Sequence, residues 1–162
     1  MNFTVTHQVP YSGSFILAGR CQARSIWTKL YTVNKISEAL NEQRHSVNGA
    51  TVLLLGIAYK HDVGDIRESP ALDIIQILQS QKAAVLYNDD YVPSMTINGQ
   101  MLTSQPLNSE LLQAADCVAI ITNHSYYDVP LIVREARAIV DTRNMTKGFN
   151  DTKILRTMVL LR

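Results

Sequence analysis

The sequence predicts an α/β fold: an open parallel sheet with helices packed on both faces. Three observations carry this. Short apolar runs alternate with amphipathic segments from residue 51 to residue 141, the order that builds parallel sheets with crossover helices. The first run, residues 51–56 (TVLLLG), is continuously apolar, as suits a strand buried on both faces. Ser69-Pro70 then opens a helix-period segment, with Ser able to cap and Pro tolerated in the first turn.

Residues 1–24 are rich in Thr, Ser, Gly and Gln, with Pro10 and Gly13 as breakers, and read as an irregular arm. In residues 25–45, Ile26, Leu30, Val33, Ile36 and Leu40 recur at helical spacing. Lys29, Lys35, Glu38, Asn41 and Glu42 lie mostly off that stripe, and residues 46–49 (SVNG) read as its stop. Trp27 and Tyr31 on the same helix are expected to pack against the core or a partner subunit.

After the strand at 51–56 comes a polar loop, 60–68, and then the helix opened by Ser69-Pro70. Ala71, Ile74, Ile75 and Leu78 form its apolar face; Asp73, Gln76 and Ser80 form the other, with Asp73 near the positive end of the helix dipole. Residues 83–87 (AAVLY) are a second strand closed by Asn88-Asp89-Asp90. Residues 91–107 read as a polar loop, 110–115 as a short helix, 117–122 as a third strand, 129–136 as a helix and 138–141 as a fourth strand. Residues 158–161 suggest an edge strand. The organisation is then an arm (1–24), a leading helix (25–48) and a sheet domain (49–162).

The chain has 162 residues, 46% hydrophobic and 18% charged, with a formal net charge of +1. Disorder and a nucleic-acid footprint are therefore not expected. No stretch is long enough for a signal peptide or a membrane span, so a cytoplasmic setting is expected. Cys21 and Cys117 form no metal spacing, the four histidines are scattered, and no metal site is expected.

Ligands of open parallel sheets bind beyond the carboxyl ends of the strands. The loop after the first strand carries Lys60 and Arg67 above a helix start, where amides and partial positive charge favour phosphate. An Arg fork can grip a diphosphate in two places. Asp65 and Glu68 are expected to hold these cations or cap the helix. The loop is not a Gly-x-Gly-x-x-Gly fingerprint, so a standard dinucleotide site is not indicated.

These residues also carry a resemblance. Gly56-Ile57-Ala58-Tyr59-Lys60 followed by Asp65-Ile66-Arg67-Glu68-Ser69-Pro70-Ala71 resembles the C-terminal-domain signature of the UDP-glucose/GDP-mannose dehydrogenase family. Asn88-Asp89-Asp90-Tyr91-Val92-Pro93, Ala115-Asp116-Cys117-Val118 with Thr122-Asn123-His124, and Asp141-Thr142-Arg143-Asn144 resemble further segments in the same order. The likeness runs from about Val33 onward, and is nearest in look to bacterial UDP-N-acetylhexosamine dehydrogenases. It implies a Rossmann-like domain that closes over a UDP-sugar. Tyr59 and Lys60 would contact the UDP-sugar, Arg143 its uridine end, and Arg67 an NAD held by another domain. Residues 25–45 would be the end of the family's central dimerisation helix, preceding the sheet domain.

The family's reaction oxidises the sugar C6 alcohol twice, to a carboxylate, with two NAD and a cysteine thioester. The resemblance implies that the catalytic cysteine, the catalytic lysine and the NAD-binding Rossmann domain lie outside this sequence. Cys21, only 35 positions before Gly56, reads as non-catalytic. Asn123 stands where the family often has Asp, and Asp90 where it often has Pro. The expectation is a UDP-sugar-binding domain inactive alone. The rivals are one chain of a split active dehydrogenase and a non-binding assembly remnant. A homodimer or a separate NAD-binding chain would meet the 25–45 helix.

Two smaller features have plainer readings. Asp89 and Asp90 suit a turn or cap better than a magnesium pair, for want of a late Lys. His124 suits a backbone-satisfying role better than a general base.

Overall fold

The computed structural model describes residues 19–157, with side chains from Ile26 onward. Five strands form one parallel sheet: β1 (Thr51–Leu55), β2 (Ala84–Asn88), β5 (Cys117–Ile120), β6 (Ile139–Asp141) and β7 (Ile154–Arg156), in the order β2-β1-β5-β6-β7. The helices are α1 (Gly19–Glu42), α2 (Pro70–Ser80), α3 (Ser109–Ala114) and α4 (Val129–Glu135), and β3 (Ser94–Ile97) with β4 (Gln100–Thr103) makes a separate hairpin.

β1 shows why the run is apolar on both sides. Val52 and Leu54 face a core layer with Val33, Ile36 and Leu40 of α1 and Ile74, Ile75 and Leu78 of α2. Leu53 and Leu55 face the opposite layer, with Leu112 of α3 and Ile132 and Val133 of α4. All four leucine and valine side chains of this stretch are fully buried. Each such burial contributes roughly 1.5–3 kcal/mol, so both helical layers are anchored through one central strand. Ser69 caps α2 as its spacing predicts: its hydroxyl accepts from the Ala71 amide. Asn108 and Asp128 cap α3 and α4.

Three expectations need correction. Residues 91–107 are not simply a polar loop, because β3 and β4 pair antiparallel within them. Asn98 and Gly99 form the connection, both at positive φ (51° and 75°), as a tight two-residue hairpin turn requires. Second, α1 begins at Gly19, inside the stretch read as an irregular arm; the rest of that arm, residues 1–18, lies outside the described residues. Third, Ile26 and Leu30 share the predicted apolar stripe but are exposed, and Trp27 is 72% exposed. α1 packs through Val33, Ile36 and Leu40, downstream of these exposed turns. Trp27 and Tyr31 therefore do not pack on the core. β7 pairs beside β6; the expected edge strand at 158–161 lies outside the described residues.

Candidate functional site at the strand ends

β1, β5 and β6 are adjacent and parallel, so their carboxyl ends share one edge of the sheet. The loops leaving them are drawn together by Gly56. It sits at φ +76°, and an added Cβ would lie 2.4 Å from the Thr122 carbonyl oxygen. Only glycine allows the β1 and β5 loops to touch here. The Thr122 hydroxyl then donates to the Ala58 carbonyl at 2.6 Å.

One carboxylate organises the start of the β1 loop. Asp89, just past β2, is fully buried with His124. Its Oδ2 accepts from the Ile57 and Ala58 amides at 2.9 and 3.0 Å, and lies 3.0 Å from His124 Nε2. Its Oδ1 accepts from the Tyr91 amide. Burial alone would push this carboxyl up, but the His124 bond and the two amides outweigh it and hold it below the usual carboxylate range. His124 Nδ1 accepts from the Asp62 amide at 2.9 Å, so Nδ1 carries no proton and Nε2–H donates to Asp89. Asp62 Oδ1 in turn accepts from the Ser125 amide at 2.9 Å. Rings enclose the imidazole: Tyr126 stacks at 5.5 Å, with Tyr91 and Tyr127 tilted against it.

Tyr59, Lys60 and His61 lie between these anchors and are exposed. The Tyr59 amide donates to the Asp65 carbonyl at 2.7 Å, closing the loop. Lys60 Nζ lies 5.9 Å from the Tyr59 ring centroid. Arg67 is 87% exposed and grips Asp65 with two bonds, through Nε at 3.0 Å and an Nη at 2.9 Å. That guanidinium holds the Asp65 carboxyl at about 2. Asp65 is thus the residue that holds Arg67, while Glu68 occupies a left-handed turn at φ 60°. The amides of the α2 start are largely spent: Pro70 has none, and those of Ala71 and Leu72 bond to Ser69. The start of α2 therefore has few free amides to offer an anion.

Arg143 leaves the end of β6 on a turn built by Asp141, itself fully buried. Asp141 accepts from the Arg143 amide (2.9 Å) and from the Thr146 amide and hydroxyl (both 2.7 Å). Arg143 Nε donates to Asn123 Oδ1 at 3.3 Å, and burial lowers its guanidinium from the ordinary value. The loop bearing Lys60 and the turn bearing Arg143 leave the carboxyl ends of β1 and β6, two strand spacings or about 10 Å apart on one sheet edge, with β5 between those ends. Arg67 stands beyond Lys60, at the start of α2.

The Asp89–His124–Asp62 chain was not legible as a unit. The available signal was two polar clusters, each just beyond a predicted strand. Cys117 is buried, which pushes its thiol up to about 12 and makes it inert at neutral pH; the Cys21 side chain lies outside those described. Among the described residues no cluster could hold a metal ion, and no helix is long and apolar enough to cross a membrane.

Residues 53–148 match the model of the UDP-glucose/GDP-mannose dehydrogenase family, UDP binding domain. The UDP-N-acetyl-D-mannosamine dehydrogenase of Campylobacter jejuni is 31% identical over 100 residues, 60% of this chain and 24% of that protein. An NDP-N-acetyl-D-galactosaminuronic acid dehydrogenase of Ralstonia nicotianae is 27% identical over 120 residues, 71% of this chain and 26% of that protein. Among solved structures, the UDP-D-ManNAc dehydrogenase of Pyrococcus horikoshii superposes with a TM-score of 0.65 at 24% identity, covering 79% of this chain and 30% of that one. The NDP-N-acetyl-D-galactosaminuronic acid dehydrogenase of Methanosarcina mazei Go1 gives 0.70 at 18% identity, covering 94% and 33%. The chain spans about a quarter of these curated relatives' length and about a third of the solved ones.

Proposed function

Because the chain belongs to the UDP-glucose/GDP-mannose dehydrogenase family through its UDP-binding domain, we propose that it binds a UDP-sugar at the carboxyl edge of the sheet. In this reading Tyr59 and Lys60 engage the diphosphate and sugar from the β1 loop. Arg143 engages the uridine end from the β6 turn. The observation that supports the reading is that the segments bearing Lys60 and Arg143 leave the carboxyl ends of β1 and β6, either side of β5, each from a turn bonded to a buried Asp. Loops that leave strand ends about 10 Å apart leave room for a nucleoside diphosphate to lie between them.

The family implies NAD, but the described residues do not make an NAD site of their own. The β1 loop lacks the glycine fingerprint, and Arg67 is a single exposed guanidinium already paired with Asp65. Arg67 is suited at most to one contact with a cofactor seated on a complementing domain. The chain alone is therefore proposed to bind and not to oxidise, in a cytoplasmic setting. Isothermal titration with UDP tests this. The expected affinity of residues 1–162 is on the order of 0.1–1 mM, because an open sheet edge encloses less of a ligand than a closed pocket, and Lys60→Ala should weaken it. No heat at millimolar UDP would overturn the reading.

A second reading, that this chain completes an active dehydrogenase with a separate NAD-binding chain, is favoured by α1. Ile26, Trp27, Leu30 and Tyr31 are all exposed on one helix, more apolar surface than an isolated helix face ordinarily leaves uncovered.

A further inference from the structure

The Tyr59-Lys60-His61 segment is bracketed by two anchors that meet in one imidazole. On its first side, the Ile57 and Ala58 amides bond to Asp89, which also takes the His124 Nε2–H. On its second side, the Asp62 amide bonds to His124 Nδ1, and the Asp62 carboxylate bonds back to the Ser125 amide beside it. Asp62 is held at φ 56°, a left-handed conformation that an untethered Asp leaves easily. His124 has no exposed surface of consequence, and three tyrosine rings wall it from water. It therefore touches no ligand, yet it joins Asp89, which holds the Ile57 and Ala58 amides, to the Asp62 amide on the other side of the segment.

From this geometry we infer that His124 is a positioning residue for the nucleotide site. In its Nε2–H tautomer, set by Asp89 on one side and the Asp62 amide on the other, it holds the loop that presents Tyr59 and Lys60. This rests on the UDP-sugar reading above. The bare alternative is that His124 merely fills a buried space, and the two make different demands on its two nitrogens.

Bond counting separates them. Asn Oδ1 stands as many bonds from Cβ as His Nδ1, so His124→Asn can still accept from the Asp62 amide; it gives up the bond to Asp89, which holds the Ile57 and Ala58 amides directly, so both anchors of the segment persist. Gln Nε2 matches His Nε2, so His124→Gln can still donate to Asp89 but offers nothing to Asp62. Titrating wild type and both variants with UDP should give near-wild-type affinity, within about twofold, for His124→Asn. His124→Gln should bind about five- to tenfold more weakly, the effect of one lost hydrogen bond. Space filling gives the opposite order or equal losses, since Gln is nearer the imidazole in volume. A direct readout needs no variant. NMR of the wild-type chain should show an unprotonated His124 Nδ1, with a through-hydrogen-bond coupling between it and the Asp62 amide nitrogen. A protonated Nδ1, an absent coupling, or a His124→Gln that binds UDP like wild type overturns the role of His124 alone. A wild-type chain that does not bind UDP overturns the site reading and this role with it.

Discussion

Replacing Gly56 with Ala should be among the most damaging single-methyl additions in this protein. Two costs combine. Gly56 sits at φ +76°, where an L residue costs about 1–2 kcal/mol. Its new Cβ would also lie 2.4 Å from the Thr122 carbonyl oxygen and 2.6 Å from the Thr122 Cβ. Those atoms are backbone or near it, and Thr122 is itself tied to Ala58 and Leu55. Relief therefore requires the β1 and β5 loops to part, at about 1–3 kcal/mol. The sum is about 2–5 kcal/mol, a large share of the ~5–15 kcal/mol typical of a domain. At about 2–4 °C per kcal/mol for a domain of this size, Tm should fall by roughly 4–20 °C in thermal unfolding followed by circular dichroism. UDP affinity measured well below that Tm should fall as well, because the displaced loop carries Lys60. A Gly56→Ala protein melting within about 2 °C of wild type would refute the close-approach argument.

Three further outcomes follow from the same structure. Asp89 has its carboxyl depressed in the folded state, so its contribution to stability is present above the ordinary carboxylate range and is lost as pH falls through the folded value. Stability of wild type should therefore fall on acidification more steeply than that of Asp89→Asn, as read from urea midpoints at neutral and acid pH; parallel profiles would contradict the assignment. Leu53→Ala, in a fully buried site between β1 and the α3/α4 layer, should cost about 2–5 kcal/mol in urea unfolding, and a loss under ~1 kcal/mol would show that layer to be loosely packed. Trp27→Ala with Leu30→Glu, on the exposed turns of α1, should shift monomer stability by only about 0.5 kcal/mol. If α1 docks a second copy, the pair should turn a dimer into a monomer in sedimentation; an unchanged dimer would place the contact elsewhere.

The fold was legible where local chemistry and burial agree. The unbroken apolar run of β1 reports burial on both faces, and Ser69-Pro70 reports a helix start whose cap forms as expected. The β3–β4 hairpin was missed although Asn98-Gly99 signalled it and β3 alternates as Ser94-Met95-Thr96-Ile97; four residues are a short run, and β4 breaks the period with Met101 and Leu102 adjacent and three exposed residues in four. The exposure of Ile26 and Leu30 was illegible for a different reason. Helical periodicity identifies a face but not whether anything lies opposite it. At the site, the pairing of Arg67 with Asp65 is local and readable from two positions' separation. The bonds that set the loop are not: His124 meets Asp89 across 35 positions and Asp62 across 62. Such bonds exist only because the sheet order β2-β1-β5 brings three strand ends side by side.

Amide chemical-shift mapping with UDP-glucose tests the nucleotide site most directly. The account predicts saturable shifts at Lys60, Asn123 and Arg143, converging on one dissociation constant, with α1 undisturbed. Shifts confined to other surfaces, or Lys60 and Arg143 responding with unrelated constants, would contradict it.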